Sequence, residues 1–345
     1  MTFKNPLLRF LARAASPSLP ASTPIVPRRI LAVSTTALGD TLSTMPALKA
    51  LRHSFPDAYL AALTSKIGLQ ILDNNPWTDA LYPLQSPISL WHHLRGQFDT
   101  ILLFHASQRY VLPLCASLGA SRLVGTSCLN KGLDDLFTSS LPPIHEHEID
   151  RRLALVKLIG GYPTPSPLSF FLRPEEKKLF KGLCIALHPG AKDSYKCWPL
   201  KHFAAVGNAL QKALSCRILI TGGPTELPLM QALSNLIPGS HLADHTLPLR
   251  QFASTLDATD LFISSDTGPF HLDCALNTPA IAVYSPTDPT LCGPYLCPTA
   301  AVCSKPRSCR PCLRRKCKLP FCLLQISPDE VVQQALRLLE ANISA

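Results

Sequence analysis

The chain has 345 residues, 46% of them apolar, which is enough for two hydrophobic cores. No apolar run approaches the roughly 20 residues of a membrane-spanning helix. The formal net charge of +10 is local rather than spread: two acid-free basic stretches flank a near-neutral body, which suits anionic lipid, a phosphorylated substrate or nucleic acid.

The first basic stretch is residues 1–29, with Lys4, Arg9, Arg13, Arg28 and Arg29. Its apolar segment is too short and too interrupted by arginine for a secretory signal. It reads either as a short amphipathic helix on a membrane surface or, given Pro17, Pro20, Pro24 and Pro27, as a disordered leader. Ile30 to Val33 reads as a first parallel strand. A Gly-containing turn, S-T-T-A-L-G-D-T-L-S-T-M-P, and a helical stretch from Ala47 to His53 follow. This opens a doubly wound sheet but lacks G-x-G-x-x-G, so dinucleotide binding is not supported here. Asp40 lies just past the strand's carboxyl end, as a general base or a helix cap.

Strands are expected at Tyr59–Leu63, Trp77–Pro83, Phe98–Phe104 and Ser121–Gly125. Helices are expected at Lys66–Asp73, Leu90–Leu94, Tyr110–Leu118 and Asp150–Ile159. His147 is a possible ligand or a capping partner of the last helix. Three prolines in residues 160–173, with Pro174 following, mark a linker between domains. Strand–helix alternation then restarts: strands at Leu183–Leu187, Arg217–Thr221, Leu261–Ile263 and Ala280–Tyr284, helices at Leu200–Leu214, Leu227–Leu236, Leu249–Asp257 and Pro328–Ala341. The expected organisation is a leader (1–29), an N-terminal Rossmann-like acceptor domain (30–165), a linker (166–181), a C-terminal Rossmann-like nucleotide-sugar domain (182–325) and a terminal helix (326–345). The fold class is α/β, with two doubly wound parallel sheets facing a cleft and ligands at the strand carboxyl ends.

The stretch S-S-D-T-G-P-F-H, Ser264 to His271, runs from a strand into a helix. Backbone N–H groups and the positive helix end there attract an anion. By itself the stretch reads as an ordinary helix cap. Its neighbours change that. H-P-G-A-K-D-S-Y-K-C-W-P carries Lys192 and Lys196, and a lysine there neutralises a phosphate. G-G-P-T-E carries Glu226, which accepts hydrogen bonds from a ribose diol. Together these strand-tip groups outline a nucleotide diphosphate site. No Asp-x-Asp pair occurs, so lysine and a helix N-terminus are expected to stabilise the leaving group, with no metal cofactor.

The segments I-L-A-V-S-T-T-A-L-G-D-T-L-S-T-M-P-A-L, H-P-G-A-K-D-S-Y-K-C-W-P and S-S-D-T-G-P-F-H-L, followed by Y-S-P-T-D-P, resemble the bacterial ADP-heptose:lipopolysaccharide heptosyltransferases. The resemblance runs from about Ile30 to the last helix. It implies the GT-B fold and inverting transfer of heptose from ADP-heptose to a lipid A-linked inner-core acceptor. It also implies a cytoplasmic location, peripheral at the inner membrane through anionic lipid, and no nucleic-acid partner. By resemblance, Asp40 is the base. Lys196 holds the donor phosphates, Asp266 the heptose hydroxyls, and Thr267, Gly268 and His271 the pyrophosphate. Glu226 holds ribose and Leu247 lies near adenine. Acceptor-binding residues are not assigned. The sequence departs from the family at Ser34, where a basic residue is usual, and at Asp273, where a small residue is common.

Thirteen cysteines without a signal sequence suggest reduced thiols. Six (Cys115, Cys128, Cys184, Cys197, Cys216 and Cys274) read as small core residues. Cys309, Cys312, Cys317 and Cys322 form C-x2-C-x4-C-x4-C within the second basic stretch, a weak candidate for a structural metal against a default of free thiols. Two other functions remain open: a GT-B transferase or epimerase for another nucleotide sugar, and a metal- or nucleic-acid-binding module at residues 303–322. The second lacks aromatic stacking residues.

Overall fold

The computed structural model describes residues 26–143, 145–306, 309, 317 and 320–343. The chain divides into two compact units, Met1–Ser166 and Pro167–Ala345.

In the first unit the strands are β1 (Arg29–Ser34), β2 (Tyr59–Thr64), β3 (Ala80–Pro83), β4 (Thr100–His105), β5 (Arg122–Thr126) and β6 (Ser139–Leu141). They form one sheet in the order β3-β2-β1-β4-β5-β6, with every pair parallel. The second unit holds β7 (Cys184–His188), β8 (Arg217–Ile220), β9 (His241–Leu242), β10 (Leu261–Ser265), β11 (Ala280–Tyr284) and β12 (Ala300–Ser304). Their order, β12-β11-β10-β7-β8-β9, repeats the first topology, again all parallel. Both sheets are of the doubly wound type.

The central strands are continuous apolar runs because helices cover both faces of a parallel sheet. Every residue of β7, β10 and β11 is buried. In the second unit the amphipathic helix Leu200–Leu214 packs Phe203, Val206 and Leu210 onto this sheet. The terminal helix Pro328–Ile343 adds Val331, Ala335 and Leu339 to the same core.

Several elements differ from the sequence expectation. The strands β6, β9 and β12 have no counterpart in it. Two are edge strands of three and two residues with mostly exposed side chains. A third, β12, is half-buried and rich in alanine. Edge strands lack the apolar signal that two-sided burial imposes. Trp77 precedes β3 rather than opening it. Arg29, counted with the leader, starts β1: its backbone N–H donates to Asp99 Oδ2 at 2.9 Å and its guanidinium stacks over Tyr59. The rest of that leader lies outside the described residues up to residue 25.

The Pro-rich segment does not stay between the units. From Pro167 it packs into the second: Leu168 and Phe170 are buried, and the Phe170 N–H donates to the Ala275 carbonyl at 3.0 Å. Among the scattered cysteines Cys128 is a correction. It is exposed, in a turn with φ of 64°, and Cys197 is only half-buried. Of the clustered cysteines, Cys309 is exposed, Cys317 half-buried and Cys322 buried. Cys312 lies outside the described residues.

Candidate active site

In each sheet the strand order reverses beside the first strand, between β1 and β4 and between β7 and β10. Loops leaving such neighbours diverge and open a crevice at the carboxyl ends. Asp40 follows β1, Lys196 follows β7 and Asp266 follows β10, while Glu226 and Leu247 follow the outer strands β8 and β9.

In the second unit, Asp266 follows β10. Its backbone N–H still donates to Val283 O at 3.1 Å, so its position is fixed by the sheet ladder. Lys196 closes a short 3-10 turn, Ser194–Lys196, on the loop after β7. Its Nζ lies 2.6 Å from Asp266 Oδ2, joining residues 70 apart in sequence. Burial pulls the Lys196 ammonium towards deprotonation, but the Asp266 carboxylate outweighs it and the net shift is upward. The Lys196 ammonium is therefore held in its charged form. Asp266 also adjoins the buried Tyr284 hydroxyl at the end of β11, which burial and this carboxylate push well above the usual phenol range. Tyr284 donates to the Cys292 carbonyl at 3.1 Å.

Thr267 occupies the cap position of the helix Gly268–Leu276. Its backbone is extended, with φ −148° and ψ 162°, and its side chain makes no capping bond. The ordinary cap that this stretch resembles in isolation is absent. Pro269, in the first turn, has no N–H to satisfy. The helix end is left without a side-chain cap from Thr267, and its first-turn N–H groups suit a diphosphate. His271 follows one turn in, its ring against Phe270.

Glu226 lies at the tip of β8 and reaches across to the tip of β7. Its Oε2 accepts from the Gly223 N–H at 2.7 Å and stands 3.7 Å from His188 Nε2. A Cβ at Gly190 would fall 1.9 Å from Glu226 Oε1, so only glycine admits the carboxylate there. Burial drives His188 below the ordinary imidazole range, and its Nδ1 pairs with Thr221 Oγ1 at 3.1 Å. Leu247 is half-buried on the loop after β9, and no hydrogen bond joins it to Lys196 or Asp266 among the described residues.

In the first unit, Asp40 lies in the first turn of the helix Leu38–Leu42, whose cap residue is Ala37. It is half-exposed, and no hydrogen bond or ion pair engages its carboxylate among the described residues. The loop leading to it is held on two sides. Thr35 donates to Gln108 Oε1 at 2.7 Å while Gln108 Nε2 returns to Thr35 O at 3.2 Å. The Ser65 hydroxyl donates to Thr36 O at 3.0 Å. His147 proves to be a cap: its Nδ1 accepts from the Ile149 N–H at 3.1 Å.

Sequence reasoning missed Tyr284, Ser265, Trp198 and Gln108. The first three sit inside the quoted motifs, and their adjacency to assigned residues was the available signal. Gln108 belongs to no pattern.

A family model described as glycosyltransferase family 9 (heptosyltransferase) matches residues 88–322. Lipopolysaccharide heptosyltransferase 3 of Escherichia coli (strain K12) is 26% identical over 287 residues, covering 74% of this chain and 82% of that protein. A crystal structure of a glycosyl transferase family 9 protein from Veillonella parvula DSM 2008 superposes with a TM-score of 0.80 at 21% identity, covering 91% of this chain and 98% of that one. E. coli ADP-heptose lps heptosyltransferase II superposes with a TM-score of 0.76 at 18% identity, covering 91% and 99%. The two doubly wound sheets are thus those of the GT-B type expected from the motifs. Since the matched span takes in more than half of the chain, with the Lys196–Asp266 pair and the Gly268 helix inside it, this chain is a glycosyltransferase belonging to glycosyltransferase family 9 (heptosyltransferase).

Proposed function

We propose that this chain transfers heptose from ADP-heptose to the inner core of lipopolysaccharide, with inversion at the anomeric carbon and without a metal ion. The single observation that carries the proposal is the Lys196–Asp266 pair at the point where strand order reverses, beside an uncapped helix end. That arrangement supplies a mobile cation and backbone N–H groups for a diphosphate, and a carboxylate for sugar hydroxyls, within one loop cluster. The donor named for the E. coli relative, ADP-heptose, has both chemical features.

Asp40 takes the proton from the acceptor hydroxyl, and the acceptor oxygen forms the new bond to the anomeric carbon. The bond from that carbon to the diphosphate oxygen breaks, and ADP departs with the electron pair. Lys196 and the Thr267–Gly268 amides stabilise the charge that develops on it. Glu226 binds the ribose hydroxyls, His271 a phosphate oxygen, and Leu247 lies against adenine.

The enzyme works at the cytoplasmic face of the inner membrane. Among the described residues no helix is long and apolar enough to cross a membrane. Contact with anionic lipid falls to the basic stretches at residues 1–29 and 303–318.

The test is purified protein with ADP-heptose and heptose-free inner-core lipopolysaccharide, read by product mass. One added heptosyl unit is expected. Conversion of the nucleotide sugar without acceptor would point to an epimerase, and transfer only from another nucleotide sugar would overturn the donor assignment.

A further inference from the structure

Lys196 has a flexible four-carbon stem, and a lysine on a loop binds a phosphate well only if its backbone is held. Two residues on, the loop is pinned. The Trp198 backbone N–H donates to Ser265 Oγ at 3.1 Å, and both residues are fully buried. The Trp198 indole is itself fixed: Nε1 donates to Ile326 O at 3.2 Å, and the ring meets Phe203 edge-on at 5.1 Å. Ser265 is the last residue of β10 and immediately precedes Asp266, whose own N–H is tied to Val283.

The contact between the two loops therefore has two rungs. The outer rung, Lys196 to Asp266, is the ion pair that a donor must open. The inner rung, Trp198 to Ser265, has no polar group suited to donor chemistry and is closed to water. We propose that Ser265 is a positioning residue for nucleotide-sugar binding. Its hydroxyl holds the Lys196 loop against the tip of β10, so that releasing Asp266 for the sugar and Lys196 for the diphosphate requires only a side-chain rotation. The inference rests on Lys196 and Asp266 forming the donor site.

Removing the hydroxyl leaves the buried Trp198 N–H without its acceptor, and the loop gains freedom by moving away from β10. The experiment is a double-mutant cycle on ADP affinity by calorimetry, using the full chain and the variants Ser265→Ala, Lys196→Ala and both together. Ser265→Ala is expected to weaken ADP binding about tenfold, the size of one lost hydrogen bond. In the Lys196→Ala background the same change is expected to have less than about a twofold effect, because the positioned group is gone.

A merely structural serine would instead weaken ADP binding equally in both backgrounds, and that result overturns the proposal. So does an unchanged affinity in Ser265→Ala. If Ser265→Ala does not fold, Ser265→Cys keeps the volume with a weaker acceptor and is expected to show about a threefold loss under the same cycle. Unchanged affinity in Lys196→Ala, or no ADP binding by the parent chain, would remove the donor site and this inference with it. Loss in Lys196→Ala without loss in Ser265→Ala would remove this inference alone.

Discussion

Lys196 Nζ and Asp266 Oδ2 stand 2.6 Å apart, so the cation proposed for the donor's diphosphate and the anion proposed for its sugar satisfy one another. On the proposed assignment, donor binding would exchange this ion pair for two new contacts, each with the appropriate half of the ligand. ADP, which lacks the sugar, would then engage only the lysine, against competition from Asp266. Asp266→Asn should therefore bind ADP about three- to tenfold more tightly than the parent, since the competing charge is gone. Transfer should fall by about a hundredfold or more because the sugar hydroxyls lose their acceptor. Calorimetry with ADP and product mass with the full donor measure the two effects separately.

Asp40 carries the opposite expectation. Its carboxylate is unengaged among the described residues, and the Gln108 and Ser65 contacts hold its loop. Asp40→Asn should lower the transfer rate by about a hundred- to ten-thousandfold, the usual range for a lost general base. ADP affinity should stay within about twofold. Parent-level transfer by this variant would remove Asp40 from the mechanism.

Asp273 makes a stability prediction. It lies on the helix Gly268–Leu276, completely buried, and neither carboxylate oxygen has a hydrogen-bond partner among the described residues. Burial, aided by nearby Cys297 and Asp257, raises its pKa well above the usual range. The folded chain keeps this proton while the unfolded chain loses it near the ordinary aspartate value of about 3.9. Stability is unaffected below that pH and falls as pH rises towards the folded-state pKa, by about 1.4 kcal/mol per unit. Asp273→Asn, an isostere of the protonated acid, should melt about 5 °C above the parent at pH 8. The gap should close near pH 4, and a gap independent of pH would show that ionisation is not the cause.

Glu176 behaves in the reverse sense. Arg250, itself buried, donates to both its oxygens at 2.7 and 2.5 Å, fastening the Pro-rich segment to the helix Leu249–Asp257. The Arg250 hydrogen bonds, first among the causes, bring Glu176 down to about 2. That stabilisation is fully present above the unfolded-state value and is lost as pH falls towards 2. Glu176 is a fifth exposed, so solvent screening reduces the gain. Glu176→Gln should cost about 1–2 kcal/mol in urea unfolding at pH 7 and nearly nothing at pH 2.5.

If lysine and a helix end supply the positive charge, as proposed, chelation should not slow transfer. Turnover measured with and without EDTA should agree within about twofold. A larger loss restored by added divalent ion would assign the diphosphate to a metal instead.

Much of this architecture was written locally. Apolar runs such as Ile30–Val33 and Leu261–Ile263 announce strands covered on both faces, because two-sided burial demands continuous hydrophobicity. The turns that follow them, with Asp40 and with Asp266-Thr267-Gly268, are legible from strand-to-helix chemistry within a dozen residues. The edge strands β6 and β9 left no such trace, since exposure relaxes the requirement. Cys128 was misleading for a related reason: residue type alone does not say which side of the surface a side chain occupies.

Tertiary structure alone decided the partnerships. Lys196 with Asp266, Trp198 with Ser265 and with Ile326, and Thr35 with Gln108 join positions 67 to 128 residues apart. All but the Trp198–Ile326 bond depend on strand order in a sheet, which puts β7 beside β10 and β1 beside β4. Strand order is set by packing many residues at once. A local pattern can therefore say which groups stand at strand tips, but not which tips are neighbours.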